Sequence, residues 1–209
     1  GARVSVHWPI LRRCLMSPGR IATVDDRGQR KAAELLVGAM YIAEYLAPRC
    51  KTKTVAMMLP TGAAFPVAAL AGWMLGKTVV PLNYLLSRSD LEYIVQDAGL
   101  DAVVTVGPML EHIGGELPGV DHIRMDQMKF SGLPPVAIGP SRAADWTAII
   151  LYTSGTSGRP KGVELTEGNL RTNIEQVTQC AQFTSRDVMF GVLPQFHSFA
   201  LTVLTLLPM

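Results

Sequence analysis

Ala148-Ile149-Ile150-Leu151-Tyr152 runs straight into Thr153-Ser154-Gly155-Thr156-Ser157-Gly158-Arg159-Pro160-Lys161-Gly162. The first stretch, apolar without interruption, reads as a strand buried on both faces. The second combines glycines, hydroxyl side chains and two cations, with no carboxylate. Glycines let the backbone approach a ligand closely and turn with positive φ. Successive N–H groups in such a turn form an anion-binding nest. Hydroxyls add hydrogen bonds, and Lys161 adds positive charge. A strand feeding a loop of this kind points to phosphate, whereas a plain solvated turn requires only a few small polar residues. The pattern is not a Walker A loop, because the lysine follows Arg159-Pro160 instead of a glycine.

Working outward, strands and helices alternate. Leu35, Ala39, Ile42 and Leu46 fall on one face of a helix predicted over 31–47, which Pro48 stops. A strand is predicted at 55–59, an apolar helix at 63–75 closed by Gly76, and a strand at 78–82. Ser89-Asp90-Leu91-Glu92 reads as a capping box whose helix runs to Gly99. A strand follows at 101–106. Residues 128–145 are rich in Pro and Gly and read as a surface connection. After the loop come a short strand at 162–165, a helix capped by Thr166 with Leu170, Ile174 and Val177 on its apolar face, and a final strand at 188–193. Residues 1–27 show no clear pattern. The alternation predicts an α/β fold, a doubly wound, mainly parallel sheet flanked by helices. The expected division is residues 1–54 packing on a second subdomain, 55–187 as the α/β subdomain with the loop, and 188–209 as the start of the next subdomain. Ala71-Gly72-Trp73-Met74-Leu75-Gly76-Lys77-Thr78 nearly fits a Walker A pattern too. Its order is wrong, because a helix ends there and a strand begins.

Composition narrows the function. The chain has 209 residues, 48% of them hydrophobic and 17% charged, with a formal net charge of +2. That is enough to bury a core, and no basic stripe invites nucleic acid. Cys14, Cys50 and Cys180 are far apart and show neither metal spacing nor a disulfide framework, as expected in a reducing cytoplasm. The uncharged windows between Lys53 and Lys77 and from residue 188 onward are interrupted by Pro, Gly, Gln and His, which argues against a membrane span. His7, His112 and His122 have no companions in the sequence.

Residues 153–162 resemble the phosphate-loop signature of the acyl-adenylate-forming superfamily at every position. That superfamily includes acyl-CoA and acyl-ACP synthetases, luciferases and peptide-synthetase adenylation domains. The stretches Val55-Ala56-Met57-Met58-Leu59-Pro60, Val79-Val80-Pro81-Leu82-Asn83 and Asp90-Leu91-Glu92-Tyr93-Ile94 look like its early part. Leu193-Pro194-Gln195-Phe196-His197-Ser198-Phe199 is similar to its Pro-x-Phe-His motif. The likeness covers roughly residues 25–209.

The resemblance implies ATP-dependent activation of a carboxylic acid as an acyl-adenylate, then transfer to a thiol, either CoA or the phosphopantetheine of an acyl carrier protein. Thr153, Ser154, Gly155, Thr156, Ser157 and Gly158 would hold the β- and γ-phosphates, with Lys161 as a supporting cation and Thr153 reaching Mg²⁺. Phe196 and His197 would line the acyl pocket. Peptide-synthetase domains usually carry Phe-Asp at that point, so Phe196-His197 disfavours an amino acid and favours a fatty acid. Ala200 replaces a glycine common in relatives, and Glu167 stands where many have histidine against the phosphate loop. The family's Thr-Glu motif, ribose-binding aspartate, hinge and C-terminal lysine are absent from these residues. The chain therefore reads as the N-terminal part of such an enzyme, inactive alone, with no catalytic residue assigned beyond the support of Lys161. Exposed apolar surface is expected to favour self-association or peripheral membrane contact. The alternative is a non-catalytic nucleotide- or acyl-binding relative.

Overall fold

The computed structural model describes residues 5–154, 158–184 and 186–208. A helix α1 (His7–Met16) and a hairpin β1 (Ile21–Asp25) and β2 (Gly28–Lys31) lead into α2 (Ala32–Leu46). Then follow β3 (Thr54–Met58), α3 (Ala64–Met74), β4 (Thr78–Pro81), α4 (Arg88–Asp97), β5 (Ala102–Thr105), α5 (Gly107–His112) and β6 (Asp121–Arg124). The chain crosses back through residues 125–146 to β7 (Thr147–Thr153), β8 (Lys161–Thr166) and α6 (Glu167–Cys180). A short α7 (Ser198–Ala200) and a π-helical turn, Leu201–Leu206, end the described chain.

The sheet order is β6-β5-β3-β4-β7-β8. The first five of these run parallel, and β8 pairs antiparallel with β7 at the edge. Strand residues alternate between two cores, as a period of two requires. Val55, Met57, Val79, Val104 and Ile149 join α1, α2, α3 and Leu170 on one face. Ala56, Met58, Val80 and Val103 join residues of α4 and α5 on the other. Burial on both faces explains why these strands are continuous apolar runs. The α/β class, the mainly parallel sheet and the flanking helices thus match the sequence reading.

Several local expectations are corrected. Residues 7–16 form a helix although its apolar stripe is narrow: Ile10, Leu11 and Cys14 face the core while Trp8, Arg12, Leu15 and Met16 face out. The start of α4 lies two residues earlier than the capping box predicts, because Ser87 is the N-cap and its hydroxyl accepts from the Asp90 N–H. Residues 188–193 form no strand; Val188 and Phe190 are each 88% exposed. The rejected Walker-like stretch closes α3 instead. Gly76, at φ +68, donates its N–H to Trp73 O, and the Lys77 N–H bonds Gly72 O, a Schellman ending. Lys77 Nζ then donates to the carbonyls of Cys50 and Thr52.

α3 lies unusually close to the sheet because Gly72 has no side chain. A Cβ there would sit 3.1 Å from Val79 Cγ2, 3.2 Å from Val55 Cγ1 and 3.3 Å from Met57 Cε. Gly72→Leu is therefore expected to destabilise the chain by about 2–3 kcal/mol through overpacking; a midpoint in urea unchanged from the parent would contradict this close approach.

A second packing detail is chemical. The Glu167 carboxylate is 3% exposed at the start of α6. Its Oε2 accepts the Val6 N–H at 2.6 Å, and Ser5 accepts the Arg142 N–H at 2.7 Å. Burial raises its pKa to about 7, against the pull of the Val6 and Ser5 hydrogen bonds and of Arg142. The folded chain thus holds this proton more tightly than the unfolded chain does. Its contribution to stability is full below the ordinary carboxylate range and is lost as pH rises through about 7. Glu167→Gln, neutral at every pH, should gain about 2 kcal/mol relative to the parent between pH 5 and pH 8. Paired urea unfolding curves at the two pH values read this difference, and parallel pH profiles for the two proteins would refute it.

Candidate active site

The parallel strands end on one edge, and the candidate residues gather there, where open α/β sheets bind ligands. β7 is placed by hydrogen bonds from the first core as well as by pairing. Trp73 Nε1 donates to Ala148 O at 3.1 Å, and Thr78 Oγ1 donates to Thr147 O at 2.6 Å. The strand therefore delivers Thr153 to the edge, and β8 leaves from it with Lys161 paired directly across from Thr153.

Of the loop residues, Thr153, Ser154, Gly158 and Lys161 are all exposed. Gly155, Thr156 and Ser157 lie outside the described residues. Gly158 has φ +92 with no atom within 4 Å of a would-be Cβ, so its glycine answers to backbone conformation. Pro160 is buried and pins the exit of the loop. Exposed hydroxyls, a left-handed glycine and a lysine, with no carboxylate from 148 to 163, make a surface suited to an anion with several oxygens. Mg²⁺ would draw most of its ligands from phosphate oxygens and water, which the Thr153 hydroxyl could supplement. No cluster of three His, Cys, Asp or Glu able to hold a metal occurs among the described residues.

Phe196 and His197 divide. Phe196 is buried, its ring edge-on to Tyr84 at 5.0 Å. His197 is exposed and touches Phe196 at 4.6 Å, while Phe199 is 64% exposed. The sequence reading put His197 in an apolar wall; its surroundings here are open. Two residues that the sequence did not flag hold this segment. Gln195 accepts the Gly62 N–H at 3.1 Å and donates to Thr205 at 3.2 Å, tying the segment to the turn after β3. Tyr84, just after β4, also meets His112 edge-on at 5.9 Å. Nothing local in the sequence pairs residues so distant.

Among the described residues, the partners of Glu167 lie away from the phosphate loop. The side chain turns into the interior toward residues 5 and 6. Both Tyr152 and Arg159, on either side of the loop, instead lean on α4. The Tyr152 hydroxyl donates to Asp97 Oδ2 at 2.5 Å, and the Arg159 guanidinium sits 5.0 Å over the Tyr93 ring. Burial, then Asp97, raises the pKa of Tyr152, so it stays a neutral donor. Elsewhere a groove of about 650 Å³ opens along α1 at Trp8, Arg12 and Arg20 and shares no residue with the loop.

The model of the AMP-binding enzyme family matches residues 11–209. The mitochondrial malonate–CoA ligase ACSF3 of Homo sapiens is 29% identical over 94% of this chain and 36% of its own length. The 2-succinylbenzoate–CoA ligase of Bacillus subtilis is 30% identical over 95% of this chain and 40% of its own. The chain thus spans about two fifths of the curated relatives it matches. Among solved structures, the o-succinylbenzoate CoA synthetase of Bacillus subtilis with ATP and magnesium superposes with a TM-score of 0.79 at 30% identity, over 94% of this chain and 53% of that one. ATP-bound MatB from Rhodopseudomonas palustris gives 0.81 at 26% identity, over 97% and 42%. No helix among the described residues is long and apolar enough to cross a membrane. With the family model matched across nearly the whole chain, and the sheet and loop arranged as described, the chain belongs to the AMP-binding enzyme family.

Proposed function

We propose that this chain is the N-terminal part of an AMP-forming ligase that joins a carboxylic acid to CoA by way of an acyl-adenylate. The observation that carries the reading is the carboxylate-free loop of hydroxyls, glycines and Lys161 at the carboxyl edge of the sheet. The first step brings a carboxylate to an ATP phosphate, two anions. Positioning and charge stabilisation therefore dominate the catalysis that the protein must supply. Thr153, Ser154 and the loop amides would orient the β- and γ-phosphates, and Lys161 would offset their charge. Residues 188–209 would begin the subdomain that closes the acid site, with Phe196 forming its floor and His197 at its rim.

The acid itself has two readings. The named relatives act on malonate and 2-succinylbenzoate, which supports a small acid bearing a second carboxylate. A fatty acid is the second reading, supported by Phe196-His197-Ser198-Phe199. A carrier-protein thiol in place of CoA belongs with that second reading.

Acid-dependent ATP–pyrophosphate exchange by the full reading frame tests both. Exchange with dicarboxylates and little with fatty acids is expected. Exchange with fatty acids alone selects the second reading. A folded, ATP-binding protein that exchanges with no acid would show a non-catalytic relative. Lys161→Ala in the same frame should lower exchange by on the order of tenfold to a hundredfold while the protein stays folded; an undiminished rate would remove Lys161 from the site.

A further inference from the structure

The residues flanking the loop are not all turned toward a phosphate. Tyr152 is the penultimate residue of β7 and Arg159 follows Gly158, so they stand at the entrance and near the exit. Both rest on the last turn of α4. The Tyr152 hydroxyl donates to Asp97 Oδ2 at 2.5 Å, and the Tyr93 hydroxyl donates to Asp97 Oδ1 at 3.1 Å. Asp97 therefore accepts from two tyrosines, one on each oxygen. The Arg159 guanidinium lies 5.0 Å over the ring of that same Tyr93. This geometry suits a cation–π contact. Tyr93 and Asp97 are four residues apart on α4 and so share one helix face.

Gly162 completes the arrangement. It is the cross-strand partner of Tyr152. A Cβ on it would lie 3.1 Å from Tyr152 Cζ, 3.3 Å from Tyr152 Oη and 3.0 Å from Ile150 Cγ2. The tyrosine ring is thus folded over bare backbone. Space, and not positive φ, is what requires glycine here, because Gly162 is not among the glycines with positive φ.

We propose that Tyr152, Arg159 and Gly162 are positioning residues: with Tyr93 and Asp97 of α4 they fix the two described ends of the loop, Thr153–Ser154 and Gly158–Lys161, and so the placing of the Thr153 and Ser154 hydroxyls and of Lys161 toward a polyphosphate. The proposal rests on the phosphate-loop reading above and deepens it. Within this clamp, Arg159 is held by α4, while Lys161, exposed and paired across from Thr153, is left to meet the phosphates. Tyr152 supplies no ligand of its own. Its hydroxyl acts through Asp97 on the direction in which Thr153 and Ser154 present theirs.

Binding of magnesium tripolyphosphate to the 209-residue chain, followed by calorimetry, tests the clamp. Tyr152→Phe and Asp97→Ala should each weaken binding about fivefold, the scale of one lost hydrogen bond. The double variant should be no weaker than Asp97→Ala alone, since that change already removes the Tyr152 contact, along with the one from Tyr93. Thermal midpoints should stay within about 2 °C of the parent, as expected of partly exposed contacts. Arg159→Lys, which keeps a cation over the ring, should bind like the parent, while Arg159→Ala should weaken binding about threefold. Gly162→Ala should weaken binding at least as much as Tyr152→Phe. Amide hydrogen exchange in the absence of ligand gives a second readout: Gly158 and Gly162 should exchange faster in Tyr152→Phe. Variants that bind and exchange like the parent would overturn the clamp and leave the phosphate-loop reading intact. A parent chain that binds no tripolyphosphate would overturn that reading, and the clamp with it.

Discussion

β7 is held beside β4 by more than sheet pairing. Trp73, at the end of α3, donates its indole N–H to Ala148 O, and Thr78, at the start of β4, donates its hydroxyl to Thr147 O. Both donors come from segments that must already be packed. Trp73 is 1% exposed, and α3 reaches the sheet only because Gly72 leaves room. The long return from β6 through residues 125–146 has no regular structure beyond a short turn, so it cannot aim β7 by itself. The position of Thr153, and hence of the whole loop, is set by this pair of hydrogen bonds and by the alternate burial of Ile149 and Ile150. A buried donor without its acceptor costs on the order of 1–3 kcal/mol, which gives the β4–β7 register a strong preference over its neighbours.

The central fold was legible because its strands are buried on both sides. Residues 55–58, 79–80, 103–104 and 148–151 could only be apolar, and an apolar run bounded by glycine and proline is the clearest signal a strand can give. Gly76 and Gly99, with φ +68 and +58, were readable as helix endings for a similar reason. Three elements that are only half buried escaped notice. α1 buries a narrow stripe. The β1–β2 hairpin alternates exposed with partly buried residues, and β6 has the single core residue Ile123. The opposite error occurred at 188–193, where Val188, Met189, Phe190, Val192 and Leu193 are apolar enough for a strand. No neighbouring edge accepts them among the described residues, and all but the half-buried Met189 are exposed.

The site was legible where its chemistry is contiguous in sequence and obscure where it is not. Loop hydroxyls, glycines and Lys161 lie within ten residues, so composition alone suggested an anion. Gln195, by contrast, is an unremarkable polar residue until its amide is seen bridging Gly62 and Thr205. Asp97 and Tyr93 looked like ordinary helix-surface residues, and only the fold brings Tyr152 and Arg159 onto them. Glu167 shows the limit of position-by-position inference. The resemblance pointed this position at the phosphate loop, and this glutamate binds the chain's own N-terminal segment instead.

The hairpin that carries the loop also explains how one short signature can meet two demands. Along β7 and β8 the cross-strand pairs alternate in face, as the pleat requires. Ile149–Leu165, Leu151–Val163 and Thr153–Lys161 share one face; Ile150–Glu164 and Tyr152–Gly162 share the other. On the first face Ile149, Leu151 and Leu165 run down into the core that contains α3, Val163 lies exposed beyond them, and the last pair emerges as a hydroxyl beside an ammonium. On the second face Tyr152 packs against the α4 core and ends on Asp97. With β7 fixed by β4, a one-residue slip of β8 would carry Lys161 to the α4 face and take Gly162 from under Tyr152. The strand pleat therefore separates the residues that can meet a phosphate from those that hold the loop in place, and the close approach of Tyr152 to Gly162 keeps that separation in register.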